Sequence, residues 1–565
     1  MFRSEFNGCK SFGCDNLGNP DLALYTYSER LGYPAYHCPL CGAYPPVLHN
    51  APIIQLTKQI YSPVAMHLHW PRCRCIPQRF AFEANAKDVH HANFATKLAS
   101  QTLAKQEPAR WIKYGHTSSG TPRVRCLQCL GVTSLLNPLS LSRSLQPLLT
   151  ALLVAFRNNE PLETALTSLS LSNKVLHEKL GKLQQLLEHA SRCYERQWFS
   201  TLPTITVQTH STVSHCRSGL QGYDSTACWY LSTAESRTGY QILISDNLLL
   251  NNVRSDAHQT GRYLLDYVEP DMVATQSVFE KARLTYERIM SRSQFDQRGY
   301  CLQQHAASKE GTVLRPVYSA HAHMQTLQAL LPPNKPLALV LEHESFLRGA
   351  AITTFAESVR LQTAQLYYLH ALPRSMHSES TKHYLANNNQ QPLNKPVSDI
   401  QQSNLPPINL QQSNLQQSDK QILSWWQESW HQYDHYFPAK SRSTAWSLGI
   451  GVLTGKTANE KTPKGTATEQ LASLLVPTHP KWHEDFWSTF EQWLPEQQRR
   501  RLSHQRVSQW LGIFRYLYNF CQQPASNGAE PGSNNHVVPA TRTKPTFEPT
   551  HIASIAEYIN SQPLK

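Results

Sequence analysis

Hydrophobic residues recur at helical spacing in the first half of the chain. Leucines repeat along one helical face over 142–156, which predicts a helix that begins close to Pro147, because proline is tolerated in a first turn. Asn158 and Asn159 end this helix, and Pro161 opens a second one. Residues 174–189 resume the same spacing after a turn. The pattern therefore predicts three consecutive helices over 139–200.

Between residues 201 and 375 the pattern changes to short alternating or wholly apolar stretches. They predict three strands, a helix, a strand, a helix and a last strand, in that order. The segments are 204–209, 227–234, 240–244, 278–293, 337–341, 349–361 and 365–370. A turn at 235–239 joins the second strand to the third. An α/β domain is therefore predicted over 201–375.

The remainder of the chain differs in composition. Residues 386–419 are rich in Gln, Asn and Ser and bury too little apolar surface to order themselves, which predicts a flexible linker over 376–420. Tryptophans at helical spacing predict a helical, Trp-rich region over 421–525 that ends in a basic, aromatic helix at 507–520. The tail at 526–565 is rich in Pro, Asn and Gly, which predicts disorder.

Cysteine spacing adds metal chemistry to this pattern. Eight of the thirteen cysteines lie in pairs before residue 130, and the opening residues lack the apolar segment of a secretion signal. Paired thiols in a reducing compartment favour structural Zn²⁺ over disulfides. Residues 1–60 are predicted to form a first zinc ribbon; its ligands are Cys9, Cys14, Cys38 and Cys41. The plainer alternative is four free structural cysteines.

A second zinc ribbon is predicted over 61–138. Cys126 and Cys129 have the spacing of a metal knuckle, and Cys73 and Cys75 are the obvious source of further ligands. A single residue between Cys73 and Cys75 is tight for a knuckle. Two alternatives stay open: one of the two cysteines ligates together with a histidine, or the site has an unusual loop. The available histidines are His67, His69, His90 and His91.

The charge balance favours a polyanionic partner. The net charge is 53 − 40 = +13, and neutralising phosphates releases counterions, so nucleic acid is favoured over a membrane surface. No stretch approaches the roughly 20 apolar residues that span a bilayer. These features predict a cytoplasmic protein without a membrane partner.

The stretch WIKYGHTSSGTPRVRCLQC, residues 111–129, resembles the amino-terminal zinc ribbon of bacterial insertion-sequence transposases, which precedes a helix-turn-helix. The turn SRTGY at 236–240 and the segment FRYLYNF at 514–520 also resemble insertion-element proteins. The resemblance implies a multidomain α+β protein with zinc ribbons, a helix-turn-helix at 139–200, an RNase H-like α/β domain at 201–375 and a helical C-terminal region. It also implies a nucleoid-associated protein that binds DNA, and it is compatible with a homo-oligomer.

DNA contacts follow from the same resemblance. Arg123 and Arg125 beside the knuckle are expected to contact phosphates. The polar residues at the turn before the third helix are expected nearest the bases. They are Ser172, Asn173, Lys174 and His177. Periodicity alone fits a plain helical bundle as well. The closing aromatic helix could serve as core, DNA clamp or partner contact.

The RNase H-like resemblance implies three carboxylates around two divalent metals, and the chain departs from it. The first-strand position falls near Gln208–His210, without an acid. Acids follow the fourth strand at Glu342 and Glu344, and Asp224 and Asp246 are substitutes or ordinary loop acids.

The sequence thus predicts a zinc-dependent DNA-binding protein of a mobile element with a degenerate catalytic core. Zn²⁺ is structural, and Mg²⁺ binds only if the core is catalytic. The alternatives are a non-catalytic zinc-ribbon DNA-binding regulator or scaffold, and an RNA-binding ribbon protein.

Overall fold

The computed structural model describes residues 2–30, 34–68, 111–222, 224–251, 308–333, 335–374, 429–436, 445–454, 482–522 and 545–562. Within these residues the chain is a mixed α+β protein with several sheets. The helix predicted at 278–293, the linker predicted at 376–420, and Cys73 and Cys75 lie outside the described residues.

The amino-terminal segment is a small hairpin followed by a long helix. Strands β1 (Thr26–Ser28) and β2 (Ala35–His37) pair antiparallel. Helix α1 (Asn50–Leu68) runs across the domain boundary that the sequence predicted at residue 60, so that boundary is wrong. The helix continues because Ile53, Leu56 and further apolar residues share one buried face.

The next segment is a three-stranded antiparallel sheet followed by three helices. The strands are β3 (Trp111–His116), β4 (Pro122–Cys126) and β5 (Val132–Ser134). The helices are α2 (Pro138–Arg157), α3 (Leu162–Thr167) and α4 (Asn173–Thr201). All three predicted helices are therefore present.

The bounds of two of these helices differ from the prediction. Helix α2 begins at Pro138 and not near Pro147, because the Asn137 side chain accepts a hydrogen bond from the Ser140 N–H and proline fits the first position. Helix α4 continues to Thr201 because its last three turns are buried on most sides.

By length and composition, α2 is the one helix among the described residues that could cross a membrane. Five of its leucines are almost fully buried in the protein core: Leu145, Leu148, Leu149, Leu152 and Leu153.

The largest sheet has seven strands. They are β6 (Ile205–Arg217), β7 (Ser225–Glu235), β8 (Gln241–Asp246), β11 (Leu337–Leu341), β12 (Ala364–Arg374), β13 (Ser429–Tyr436) and β14 (Ala445–Val452). Their spatial order is β13-β14-β12-β11-β6-β7-β8. Strand β6 pairs parallel with β11, the middle strand, and antiparallel with β7, and β12 extends the parallel part. The five strands predicted from the sequence are all present.

Helices and a two-stranded antiparallel sheet complete the described structure. Strands β9 (Leu248–Leu250) and β10 (Gly311–Val313) pair with each other. The helices are α5 (Pro316–Leu330), α6 (Ser345–Thr354), α7 (Ala356–Arg360), α8 (Trp482–Trp493), α9 (Glu496–Arg499), α10 (His504–Phe520) and α11 (Ile552–Asn560). One hydrophobic cluster includes residues of the sheet and of α2, α4, α8, α10 and α11.

Two predictions for the C-terminal third are wrong. The region at 421–525 is not helical throughout, since β13 and β14 are strands; in β14 apolar residues alternate with serine and glycine, a strand period. The tail at 526–565 contains helix α11, whose Ile552, Ile555 and Ile559 share a buried face.

The FRYLYNF segment belongs to the core. Arg515 on α10 is buried, and its guanidinium forms ion pairs with Glu188 at 2.6 Å and Glu195 at 3.2 Å, both on α4. Of the three roles left open for this helix, packing against α4 is the one that these contacts support.

Candidate functional site

Four cysteine side chains meet in the amino-terminal segment. The Sγ atoms of Cys9 and Cys41 are 3.5 Å apart and those of Cys14 and Cys38 are 3.8 Å apart, and all four lie within 4.8 Å of one another. Four sulfurs at 2.3 Å from a tetrahedral Zn²⁺ are separated by about 3.8 Å. These four cysteines could therefore hold a metal ion such as zinc, as the spacing predicted.

The surrounding loops orient these sulfurs. The Tyr25 hydroxyl accepts the Cys9 N–H at 3.1 Å and lies 3.1 Å from the carbonyl oxygen of Asn16, which joins the two ends of the first loop. In the second loop the Gly42 N–H donates to the Cys38 carbonyl at 2.8 Å, which closes a tight turn. The Asn16 side-chain amide donates to Cys38 Sγ at 3.6 Å.

The protonation of the cluster also favours a cation. A hydrogen bond with Cys41, together with burial, raises the pKa of Cys9, and burial raises the pKa of Cys14 to about 12. The hydrogen bond with Cys9 lowers the pKa of Cys41 to about 4. Crowded thiolates thus oppose one another's ionisation, and a divalent cation is the group that would deprotonate all four.

Three cationic side chains adjoin this cluster, and the sequence analysis did not identify them. Arg3 donates through Nε to the Glu5 carbonyl at 2.7 Å and through its two Nη atoms to the carbonyls of Gly18 and Thr353. Lys10 and Arg348 are both more than nine-tenths buried, and both interact electrostatically with Cys9. A Zn²⁺ with four thiolates carries a net charge of about −2. The cations therefore lie where they would balance such a group.

The second knuckle lies at the end of β4. Cys126 is fully buried, Cys129 is half-buried, and the Cys126 N–H donates to the Gly131 carbonyl at 2.9 Å, which closes the turn between β4 and β5. A Cβ at Gly131 would lie 3.2 Å from Cys129 Sγ, so the tight turn suits glycine. The further ligands predicted for this site, Cys73 and Cys75, are outside the described residues.

The two arginines beside the knuckle lie on one face of the three-stranded sheet. Their guanidinium carbons are 5.9 Å (Arg123) and 5.3 Å (Arg125) from the centre of the Tyr114 ring. These distances are within the range of a cation–π interaction. Sequence reasoning did not single out Tyr114, although its place before Gly115 on a basic strand was visible.

The residues predicted nearest the DNA bases lie at the start of α4. Ser172, Asn173 and Lys174 are exposed, and His177 is half-buried with a pKa lowered by burial and by the nearby Arg506. The turn that precedes them contains Ser170 at φ 47°. The helix start is thus accessible to a partner.

Two of the predicted acids follow β11. Glu342 accepts hydrogen bonds from the Ser211 N–H at 3.0 Å and from the Ser211 hydroxyl at 2.5 Å, so it lies beside strand β6. Glu344 is fully buried and precedes α6, and its carbonyl accepts the Tyr368 hydroxyl at 3.1 Å.

The other two acids lie far from Glu342. Asp246 ends β8, three strand spacings from β11, or about 14 Å, and forms an ion pair with His504 at 2.8 Å. Asp224 directly precedes Ser225, which pairs with Arg217 at the end of β6. Arg217 is seven residues along the strand from His210, a distance of about 23 Å. The structure therefore does not bring these acids together. Among the described residues, no group of three potential ligands around Glu342 is close enough to hold one metal.

Imidazoles occupy the face of β6 opposite the Ser211 hydroxyl that donates to Glu342, because neighbouring side chains of a strand alternate between faces. His210 stacks on His483 of α8 with ring centres 5.2 Å apart. His483 Nε2 is 3.0 Å from the Ser211 carbonyl and its Nδ1 is 2.7 Å from the Ser232 hydroxyl. Burial holds the pKa of His483 well below its usual range, so the ring is neutral and donates through Nε2. This residue was missed because α8 is remote in sequence.

Comparison of the sequence with known protein families and with curated proteins gives no match.

Proposed function

We propose that the chain is a zinc-dependent DNA-binding protein of a mobile genetic element, related to insertion-sequence transposases, whose RNase H-like core no longer cuts DNA. The observation that carries the proposal is the seven-stranded sheet. Strands β6, β7 and β8 come first, followed by helix α5, strand β11, helices α6 and α7, and strand β12, which matches the strand and helix order that the RNase H-like resemblance implies; β6 and β11 lie side by side.

The groups beside β6 and β11 support a degenerate core. Mg²⁺ prefers carboxylate oxygens, and a two-metal site needs several of them at one place. Here Glu342 is the acid beside β6, and β6 itself offers Gln208, Thr209 and His210 where the resemblance implies an acid. Neutral imidazoles are poor ligands for so hard a cation.

The ribbon and the start of α4 support a role in DNA binding. No Asp or Glu occurs from Pro108 to Asn159, whereas that segment contains six Lys and Arg residues. Such a segment attracts phosphates without opposing charge. The exposed residues Ser172, Asn173 and Lys174 add polar groups at a helix start, where DNA-reading helices approach bases.

The test is a pair of assays on the purified full-length protein. Binding to duplex DNA from the flanks of the gene is measured by anisotropy at several salt concentrations, with Arg123→Ala as the variant. Nicking and strand transfer are measured on the same duplex with Mg²⁺ or Mn²⁺, for the wild type and for Glu342→Ala and Asp224→Ala. We expect salt-sensitive binding that Arg123→Ala weakens for all sequences alike, and no metal-dependent cleavage.

Metal-dependent cleavage that Glu342→Ala abolishes would overturn the degenerate core and restore an active transposase. Absence of duplex and single-strand binding at low salt would overturn the DNA-binding proposal as a whole. The lack of an Asp or Glu on β6 also favours the alternative function, a non-catalytic regulator or scaffold. It would be identified by tight binding to one DNA sequence, no cleavage, and no requirement for the ends of a mobile element.

A further inference from the structure

The outer face of the three-stranded sheet combines arginines with exposed apolar side chains. Antiparallel pairing places Ile112 and Val132 opposite Arg125, so all three lie on one face. Ile112 and Val132 are 42% and 43% exposed, and Tyr114 on the same face is 42% exposed. The opposite face is different, since Val124 is buried there.

The two guanidiniums are held against the tyrosine. The Nε atoms of Arg123 and Arg125 are buried and have no hydrogen-bond partner within the described part of the chain. Both guanidiniums lie at cation–π distance from the Tyr114 ring. One aromatic ring and two guanidinium planes therefore form a preorganised set of flat surfaces, which we call the stacking platform (Tyr114, Arg123 and Arg125).

A break in the strand adjoins the platform. The register of β3 against β4 shifts between Lys113 and His116, and Gly115 has φ +69° with nothing within 4 Å of a Cβ placed there. Bulges of this kind re-aim a neighbouring side chain and recur at binding sites. The glycine is thus required by the backbone conformation that follows Tyr114, and not by lack of space.

The composition of the platform separates single strands from duplexes. In a duplex the bases are stacked on one another and offer only their edges in the grooves, so exposed apolar groups beside the arginines would gain little. A single strand offers base faces that stack on aromatic rings and guanidiniums, together with phosphates that the arginines neutralise.

We infer that this face of the ribbon binds single-stranded nucleic acid by stacking bases on Tyr114 and neutralising phosphates with Arg123 and Arg125. The inference rests on the proposed DNA-binding function and narrows it to strands that are open, such as those at a frayed or processed DNA end. The acid-free segment around the platform supplies the charge complementarity.

The experiment compares three probes on the full-length protein by fluorescence anisotropy: a 20-nucleotide single-stranded DNA, the duplex of the same sequence, and the single-stranded RNA. We expect the single strand to bind more tightly than the duplex. Tyr114→Ala should weaken single-strand binding about 5- to 150-fold, the range for loss of one stacked base. Tyr114→Phe should retain most of the affinity, because the ring remains.

Salt dependence separates stacking from charge. Arg125→Gln should reduce the slope of log K against log salt by about 0.7, the value for one phosphate contact on a single strand. Tyr114→Ala should leave this slope unchanged. The matched control is Tyr27→Ala, an exposed tyrosine on β1 that is 57% exposed and outside the platform. Circular dichroism and zinc content verify that each variant folds.

The outcomes distinguish this inference from the proposed function. Duplex binding as tight as single-strand binding, or no effect of Tyr114→Ala, would overturn the stacking platform and leave the DNA-binding proposal standing. Loss of all binding would overturn both. If RNA binds as tightly as single-stranded DNA, the stacking platform is supported and recognises only the bases and phosphates that both strands share. If RNA binds more weakly, the stacking platform is also supported and its ligand is single-stranded DNA.

Discussion

Removal of one sulfur from the four-cysteine cluster should loosen helix α6 as well as the amino-terminal loops. The perturbation is Cys38→Ser. Arg3 connects the amino-terminal loops to α6, because its Nη atoms donate to the carbonyl of Gly18, in the loop after Cys14, and to that of Thr353 at the end of α6. Gly18 in turn donates its N–H to the Cys9 carbonyl at 2.8 Å.

The contact between the loop and α6 is close. Lys10 Nζ would lie 3.6 Å from a Cβ placed at Gly349 of α6, and a Cβ placed at Gly18 would lie 2.3 Å from the Ala356 Cβ. Lys10 and Arg348 are buried near Cys9, so loss of the metal-thiolate charge leaves both cations without that anionic neighbour.

The magnitude follows from the charge that is lost. Breaking a buried ion pair costs about 3–5 kcal/mol, and 1.4 kcal/mol is a tenfold change in an equilibrium constant. Amide protection in α6 should therefore fall at least about 100-fold. Structural zinc itself contributes about 10–16 kcal/mol of apparent binding free energy, which compares with a total domain stability of about 5–15 kcal/mol.

Hydrogen exchange followed by mass spectrometry measures this effect, and metal analysis measures the zinc content. Cys38→Ser should lose one equivalent of zinc and expose the α6 amides. Cys129→Ser removes a sulfur from the other knuckle and is the matched control; it should leave α6 protected. If α6 keeps its protection while residues of the first knuckle exchange rapidly, the electrostatic coupling is refuted. If the variant retains all its zinc, the ligand assignment fails.

Three further predictions concern stability, each measured by urea unfolding. Burial lowers the pKa of His504, but the ion pair with Asp246 outweighs burial and raises this pKa to about 9. Relative to an unfolded value of about 6.5, the shift contributes at most roughly 3 kcal/mol to the free energy of unfolding. This contribution is fully present below pH 6.5 and is lost as the pH rises through 9. His504→Gln should remove that pH dependence, and equal pH profiles would contradict the pairing. Gly239→Ala should cost about 2–3 kcal/mol, because Gly239 has φ +68° and the new Cβ would lie 2.4 Å from the Trp482 ring. Gly222→Ala, with φ +83° and no neighbour within 4 Å, isolates the backbone term, so equal costs would refute the steric argument. Ile555→Ala should cost about 2–5 kcal/mol if α11 packs on the core, and no change would contradict that packing.

Local pattern predicted the elements whose buried faces are apolar. Helices α2 and α4 were visible because leucines line one side and proline or asparagine marks their ends. The five strands β6, β7, β8, β11 and β12 were predicted because their residues form short alternating or wholly apolar stretches. Helix α5 was missed because its buried residues include His321, His323, Gln325 and Thr326, so no apolar period marks it.

Site residues that depend on distant segments escaped the sequence. The four cysteines were predictable because two short spacings carry the geometry of a knuckle. The cations near them come from distant parts of the sequence: Arg3 and Lys10 lie in the first ten residues, and Arg348 lies on α6. His483 likewise reaches β6 only because α8 packs on the sheet. The spacing of residues along the sequence does not reveal contacts between such distant segments.

The surroundings of the two knuckles assign them different tasks. The first is packed against α6, with buried cations beside its sulfurs, so its physical consequence is the stability of the sheet domain. The second ends a sheet whose outer face is exposed, basic and free of acids, so we expect it to shape the surface that we propose binds nucleic acid. If both knuckles hold zinc, as we propose, a chelator should remove both effects at once. Single cysteine variants should separate them, because we expect loss of Cys38 to act through packing and loss of Cys129 to act through the position of Tyr114, Arg123 and Arg125.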